Sequence, residues 1–429
     1  MVSASPTTTL RDRLRGVIAE PRIRPQAPPL PRAVLPIVQI LGGEWHGTPL
    51  GSVFVKDQWY PLDHLHGALP VSSALTVGNE TLGRLFGDQP GAPDPSRLAF
   101  FDVETTGLSG GAGTYVVIAG VGSYEVAASG EQIAFRMRQY FLADLAQETA
   151  MLAMMGDDLA RFEGLVTYNG RTFDMPVTET RFALSRRRSP FASLPHLDLL
   201  HVVRRLYKHR MAGCRLMDVE RRLLRVERVD DIPGALVPSL YREHLCSGAT
   251  RPMRGVLRHN AEDVLSLVGL LGFVGRMLQD PDLAPDDAVA VARWWEGHDD
   301  PGRAAALYRN ALPWLEGSEH WHWATARLAG LCRRRGDRAE AGRLWRRLWH
   351  LGDRAAGLRL AIQLEHHDRN LSEAAALTEC LLQDALGDER ADLARRLGRL
   401  RAKLERHVNS RGDRHGGVEP QVQILPPAP

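Results

Sequence analysis

The chain has 429 residues, 44% hydrophobic and 24% charged, the balance of a globular protein with room for two or three domains. A net charge of +3 does not by itself demand a nucleic-acid partner. Only three of the 54 basic side chains are lysines (Lys56, Lys208, Lys403), an arginine excess that a GC-rich coding bias explains. Four widely spaced cysteines form no CxxC pair, which argues against a zinc module or a disulfide framework and fits a reducing cytoplasm. The N-terminal stretch lacks the apolar run of a signal peptide, and the longest apolar stretch, Leu265 to Val274, is too short to span a bilayer.

Residues 1–30, with little apolar pattern, read as a flexible arm. Residues 31–95 hold short apolar runs broken by Gly and Pro and read as a small β-rich segment. From Arg97 the texture changes. RLAFFDVE reads as a buried strand, TYVVIAGVGSYE as a second and FRMRQYFLA as a third. A helix over LAQETAMLAMMGDDLARF and a strand at GLVTYNG follow, and the chain then stays mostly helical to about Gln279. Residues 96–280 are therefore expected to form an α/β domain, a mixed sheet flanked by helices. DPDLAPDD, from Asp280, marks a boundary. Residues 286–405 are helical and loosely repetitive. Leu307, Leu344 and Leu377 align at offsets of 37 and 33 residues, near the tetratricopeptide period of about 34, with a plain helical bundle as the alternative. The Gly- and Pro-rich residues 406–429 read as a disordered tail.

Four carboxylates stand out. Asp102 and Glu104, in FFDVETTGL, lie two apart on a strand and so point to one face. Two acids on a buried strand repel each other and lose hydration. With no Lys or Arg adjacent, a divalent cation is the natural counter-charge, and oxygen donors suit Mg²⁺ or Mn²⁺. Asp174, in VTYNGRTFDMP, follows a strand and an Asn-Gly turn; taken alone it reads as a helix cap. Asp263, in LRHNAEDV, lies one helical turn after His259, a pair that in isolation reads as a surface contact.

Together, FDVETTGL, TYNGRTFDMP and HNAEDV resemble the three motifs of the DEDD exonuclease superfamily, which has a ribonuclease H-like fold. The third motif combines the histidine of one branch of that superfamily with the three-residue spacing of the other, where tyrosine stands in place of His259. GCRLMDVERRLLRVERVDDIPGALVPSLY, HLDLLHVVRRLY and the N-terminal GG…GSVFV…YPLDHLHG block resemble the YprB-type ribonuclease H-like proteins, many of which carry C-terminal tetratricopeptide-like helices. This likeness covers roughly residues 35–280.

The resemblance implies a 3′→5′ exonuclease acting on single-stranded DNA or RNA ends. Asp102, Glu104, Asp174 and Asp263 would hold two Mg²⁺ or Mn²⁺ ions about 3.5–4 Å apart. His259 would orient or deprotonate the attacking water. Thr105, Thr106, Gly107 and Leu108 would touch the terminal nucleotide, and Asn169 and Phe173 would shape the same cleft; for Leu108 and Phe173, core packing is the alternative. Asn260 would orient a ligand or face solvent. Asp198 and Asp231 read either as supporting acids or as caps of helices and turns, and His64 and His66 as structural. Two other functions stay open: a structure-specific endonuclease on the same scaffold, and a non-catalytic adaptor whose helical region binds a protein. Neither involves a membrane.

Overall fold

The computed structural model describes residues 37–87, 92–107, 111–126, 133–208, 210–280 and 282–412. The arm expected at residues 1–30 lies outside them, as does Leu108.

Seven strands form one mixed sheet. In chain order they are β1 (Glu44–Thr48), β2 (Gly51–Tyr60), β5 (Leu98–Thr105), β6 (Val116–Val126), β7 (Ile133–Phe141), β8 (Gly164–Thr167) and β9 (His196–Asp198), and their spatial order is β1-β2-β7-β6-β5-β8-β9. The β3 (Leu65–His66) and β4 (Leu69–Pro70) strands pair separately. The β5–β6–β7 meander is antiparallel, whereas β8 and β9 add parallel to β5. The segment expected to be β-rich completes this sheet. β2 pairs with β7 along Phe54 to Tyr60 and continues the same sheet. The apolar run Val53–Val55 marks a buried strand but left that pairing invisible, because local pattern specifies burial and not a neighbour. β9, three residues long, is too short for periodicity to reveal in a run expected to be helical.

Nine helices among the described residues accompany the sheet or join it to the C-terminal region: α1 (Ile37–Leu41), α2 (Asn79–Leu85), α3 (Glu148–Leu159), α4 (Asp174–Leu184), α5 (Leu199–Tyr207), α6 (Leu216–Val219), α7 (Val237–Ser247), α8 (Met253–Gln279) and α9 (Pro285–Glu296). β5 is buried on both faces. Phe101 and Val103 pack in one core with Met151, Met155 and Phe182, and Phe100 packs in the other with Val264 and Val268 of α8. The α8 helix lies close on β6 because Gly120 and Gly122 leave space there. A Cβ at Gly120 would stand 2.4 Å from the Asn260 side chain, and one at Gly122 would stand 2.6 Å from Val264. The long apolar run of α8 is thus a core helix, and no helix of the described residues is long and apolar enough to cross a membrane.

Six more helices follow: α10 (Pro301–Leu315), α11 (Glu319–Arg334), α12 (Arg338–His350), α13 (Arg354–His366), α14 (Leu371–Gln383) and α15 (Gly387–Gly412). From α9 onward each packs on its sequence neighbours. Asp300, Ser318, Asp337, Asp353 and Asn370 cap successive helices by accepting backbone N–H bonds. The Gly-Asp turns before α12 and α13 put Gly336 and Gly352 at φ 86° and 89°, where glycine is favoured. The tail expected from residue 406 is partly helix: α15 runs to Gly412. Leu393, Leu397 and Leu400 bury its inner face, and turns propagate beyond such an anchor. The rest of that tail lies outside the described residues.

Candidate active site

The site forms where the C-terminal end of β5 meets α4 and α8. Asp102 and Glu104 share the β5 face that carries Phe100, beneath α8. A register shift at Glu104/Thr105 ends the ladder with β6 just beyond them. After β8, Asn169 adopts φ 62° and the chain turns into α4. Phe173 takes the cap position, so Asp174 stands one residue inside the helix and is not its cap. The Asp174 carboxylate instead lies near the backbone N–H groups of Val103 and of its own residue, which oppose the effect of burial on its proton affinity and place the second motif beside β5.

His259 and Asp263 complete the group from one face of α8. The imidazole Nε2 lies 3.5 Å from Glu104 Oε1 and 3.6 Å from Asp263 Oδ2. Glu104, His259 and Asp263 each offer a ligand atom within 4.8 Å of the other two. On its other side the ring meets Asp231, with Nδ1 2.7 Å from Oδ1. Arg228 Nη1 also lies 3.1 Å from Nδ1, but a guanidinium can only donate. The shorter contact to a carboxylate assigns the proton to Nδ1, donated to Asp231, and leaves Nε2 facing the acids. Asp231, weighed in the sequence as a support or a cap, therefore supports the histidine.

The acids hold their protons strongly. Burial, then the neighbouring carboxylates, raises Asp102 well above the ordinary range. Burial raises Glu104 to about 8, with His259 opposing and Asp263 and Asp174 adding to the rise. Burial lifts Asp174 to about 7, against the opposing effect of nearby backbone N–H groups. Asp263 is also raised by burial, against the pull of Arg228 and His259. Burial alone would lower His259, but Asp263, Glu104 and Asp231 outweigh it and raise the imidazole.

One expectation needs correction. The sequence places no cation beside the acids, yet the fold brings Arg228 to them from 35 residues before Asp263. Its side chain, 6% exposed, pairs with Asp263 and Glu220 and lies 3.4 Å from Asp231. Such a contact crosses elements that no local periodicity links. If all were ionised, Asp102, Glu104, Asp174, Asp231, Asp263 and Glu220 would outnumber the one guanidinium and one imidazole of the cluster, and the raised proton affinities of Asp102, Glu104, Asp174 and Asp263 express that excess. The excess and the oxygen-rich donor set fit divalent cations of the Mg²⁺ or Mn²⁺ kind.

Asn260 is the second correction. It neither faces solvent nor lines a substrate surface, because it is completely buried. Its Nδ2 donates to Asp102 Oδ2 at 2.8 Å, and its Oδ1 accepts from Gln139 Nε2 at 2.9 Å. The paired glycines of β6 are the signal that reveals it, since glycines two apart on a strand mark a close helix. Asp198 caps α5 and also accepts from the backbone N–H groups of Asn169 and Arg171, which steadies the loop before Asp174. Thr105 donates to the Gly107 carbonyl, and Thr106 accepts from Tyr115 N–H, so both hydroxyls close the turn after β5. Asn169 is exposed, and its Oδ1 accepts from Thr172. Phe173 is half-buried against the core. His66 bonds Ser266, and burial lowers it to about 4, consistent with a structural role.

Residues 99–274 match a family model of the RNase_H superfamily. Over 361 residues the chain is 30% identical to the uncharacterized protein YprB of Bacillus subtilis (strain 168), an alignment that spans 80% of this chain and 85% of that protein. A ribonuclease H-like sheet, a converging acid cluster and likeness over most of both sequences lead to one family: the chain belongs with YprB in the RNase H superfamily.

Proposed function

We propose that the protein is a cytoplasmic, metal-dependent 3′→5′ exonuclease of the DEDD type, hydrolysing phosphodiester bonds at single-stranded DNA or RNA ends. The observation that carries this reading is the meeting of Glu104, His259 and Asp263, with Asp102 and Asp174 near enough to act on them electrostatically and Asp231 holding the far nitrogen of the ring. Asp102, Glu104, Asp174 and Asp263 would hold two divalent cations, which supply an acidified water and a sink for charge on the leaving oxygen. His259 Nε2 receives the proton of the attacking water. Asp231 holds the ring in the tautomer this requires and steadies the imidazolium that forms. Asn260 fixes the Asp102 carboxylate. The backbone from Thr105 to Leu108, with Asn169 and Phe173, would receive the terminal nucleotide. We read α9–α15 as a tetratricopeptide-like region that binds a protein partner, on the strength of its repeated caps and sequential packing.

Labelled DNA and RNA single strands with free or blocked 3′ ends, incubated with Mn²⁺, Mg²⁺ or EDTA, test the proposal. The expected result is a metal-dependent ladder from free 3′ ends only, absent with Asp102→Ala. Cutting of blocked strands would point to an endonuclease. No cutting together with no Mn²⁺ binding would point to an adaptor.

A further inference from the structure

The acid cluster has a counterpart on the other side of α8. The register of β2 with β7 puts Lys56, Gln58 and Tyr60 on the same sheet face as Gln139, Met137 and Phe135. Between this edge of the sheet and the start of α8 runs a groove of about 660 Å³. Lys56 lines it from β2, and Arg251, Arg254 and Arg258 line it from the helix side. Glu262 is the one acid among its described lining residues, and it already lies 3.9 Å from Arg228. No carboxylate among the described residues pairs with Lys56, Arg251 or Arg254, whereas Arg309, Arg327, Arg346 and Arg396 of the C-terminal helices each pair with a glutamate. Arg254 and Arg258, one turn apart, repel each other. Burial pulls the half-buried Lys56 ammonium below its ordinary range, and Arg254 pulls it further. Concentrated, unanswered positive charge in a groove is what a polyanion requires.

The groove and the acids share a wall. His259 and Asp263 project from α8 toward the acids, while the adjacent Arg258 and Glu262 line the groove. Gln139 lines the groove and donates to Asn260, which in turn donates to Asp102. Tyr60 and His64, rings 4.7 Å apart, stand at the same wall.

We infer that this groove binds the phosphate backbone of a single-stranded nucleic acid outside the bond being cut, with Lys56 and Arg254 as its principal cations. The inference rests on the nuclease reading for its substrate class. It also accounts for the N-terminal segment, because β2 supplies the far wall of the strand-binding track.

The test is binding of fluorescein-labelled 20-mer DNA and RNA to the full chain in EDTA, followed by anisotropy across a salt series. The double variant K56Q/R254Q should flatten the dependence of log K on log salt by about 1.4 and weaken binding roughly twentyfold at 0.1 M salt, as loss of two single-strand phosphate contacts requires. The exposed charge reversal R254E should act in the same direction, and circular dichroism checks that both variants are folded. R343Q/R399Q, which removes two exposed charges from the C-terminal helices, should stay within twofold of the unaltered chain. Equal binding by K56Q/R254Q and the unaltered chain would overturn the inference, as would equal losses in the two double variants. Binding of polyglutamate but of neither strand would also overturn it, in favour of an acidic protein partner. Cleavage is scored separately. Groove-dependent binding without cutting would sink the nuclease reading alone, and cutting with groove-independent binding would sink the groove alone.

Discussion

Glu104 and Glu340 are the same residue type in two regions of one chain, and they are shifted in opposite directions. In the C-terminal helices, Glu340 accepts two bonds from Arg309 and lies beside Cys332, and these partners lower it to about 2. Glu365 is likewise lowered, though burial opposes this, because Lys403 and Arg396 hold it. In the sheet domain, burial raises Glu104 to about 8, and its neighbours include further acids. Paired carboxylates stabilise a fold. Carboxylates kept together without sufficient counter-charge destabilise it and remain available to bind something.

Breaking the unpaired side should have the larger effect. Glu104→Gln should lower metal-dependent cleavage by roughly 10³-fold, as loss of several kcal/mol of transition-state stabilisation implies. The same substitution should raise the melting temperature of the metal-free protein. Its folded-state proton affinity is raised, so Glu104 costs little stability below its ordinary value of 4.5 and progressively more as pH rises toward about 8. The gain on substitution should therefore be larger at pH 8 than at pH 5, and a gain equal at both would refute the unpaired reading of this residue.

A smaller loss should follow at the support of the histidine. Asp231→Asn keeps shape but removes the charge that holds Nδ1–H, and roughly 10- to 100-fold lower kcat is expected, the range for an orienting partner behind a site residue. A purely structural Asp231 would instead move melting temperature and leave the pH profile of kcat in place.

The smallest change belongs to the paired side. Glu340→Gln should cost about 1 kcal/mol of stability with cleavage intact. Here the sign reverses. A depressed folded pKa contributes stability above about 4.5 that is lost as pH falls toward about 2, so the wild-type advantage in urea melts should shrink in acid.

The legible parts of this molecule are those written in local spacing. Asp102 and Glu104 share a face because strands repeat every two residues, and His259 and Asp263 share one because helices repeat every 3.6. The β5, β6 and β7 strands were readable as apolar runs bounded by turn residues. Arg228 reaching Asp263, Asp231 reaching His259 and β2 joining β7 depend on the path of the chain through space, which no window of sequence contains. Asn260 lies between these cases. Its burial is local to α8, but its bond to Asp102 spans 158 residues. Only the glycine pair in β6 hinted at it.

The continuity of the interior bears on how the chain can be dissected. The composition break at residues 280–287 looks like a seam, but one apolar cluster runs through it, from Phe100 in the sheet to Leu400 in α15. Trp295 donates across the break to the Leu278 carbonyl, and Arg210 pairs with Asp287. A fragment ending at Gln279 would bare the end of the rod that carries His259 and Asp263, a helix of 27 residues and so about 40 Å long. The sheet half and the helical half are better regarded as one casting than as two modules bolted together.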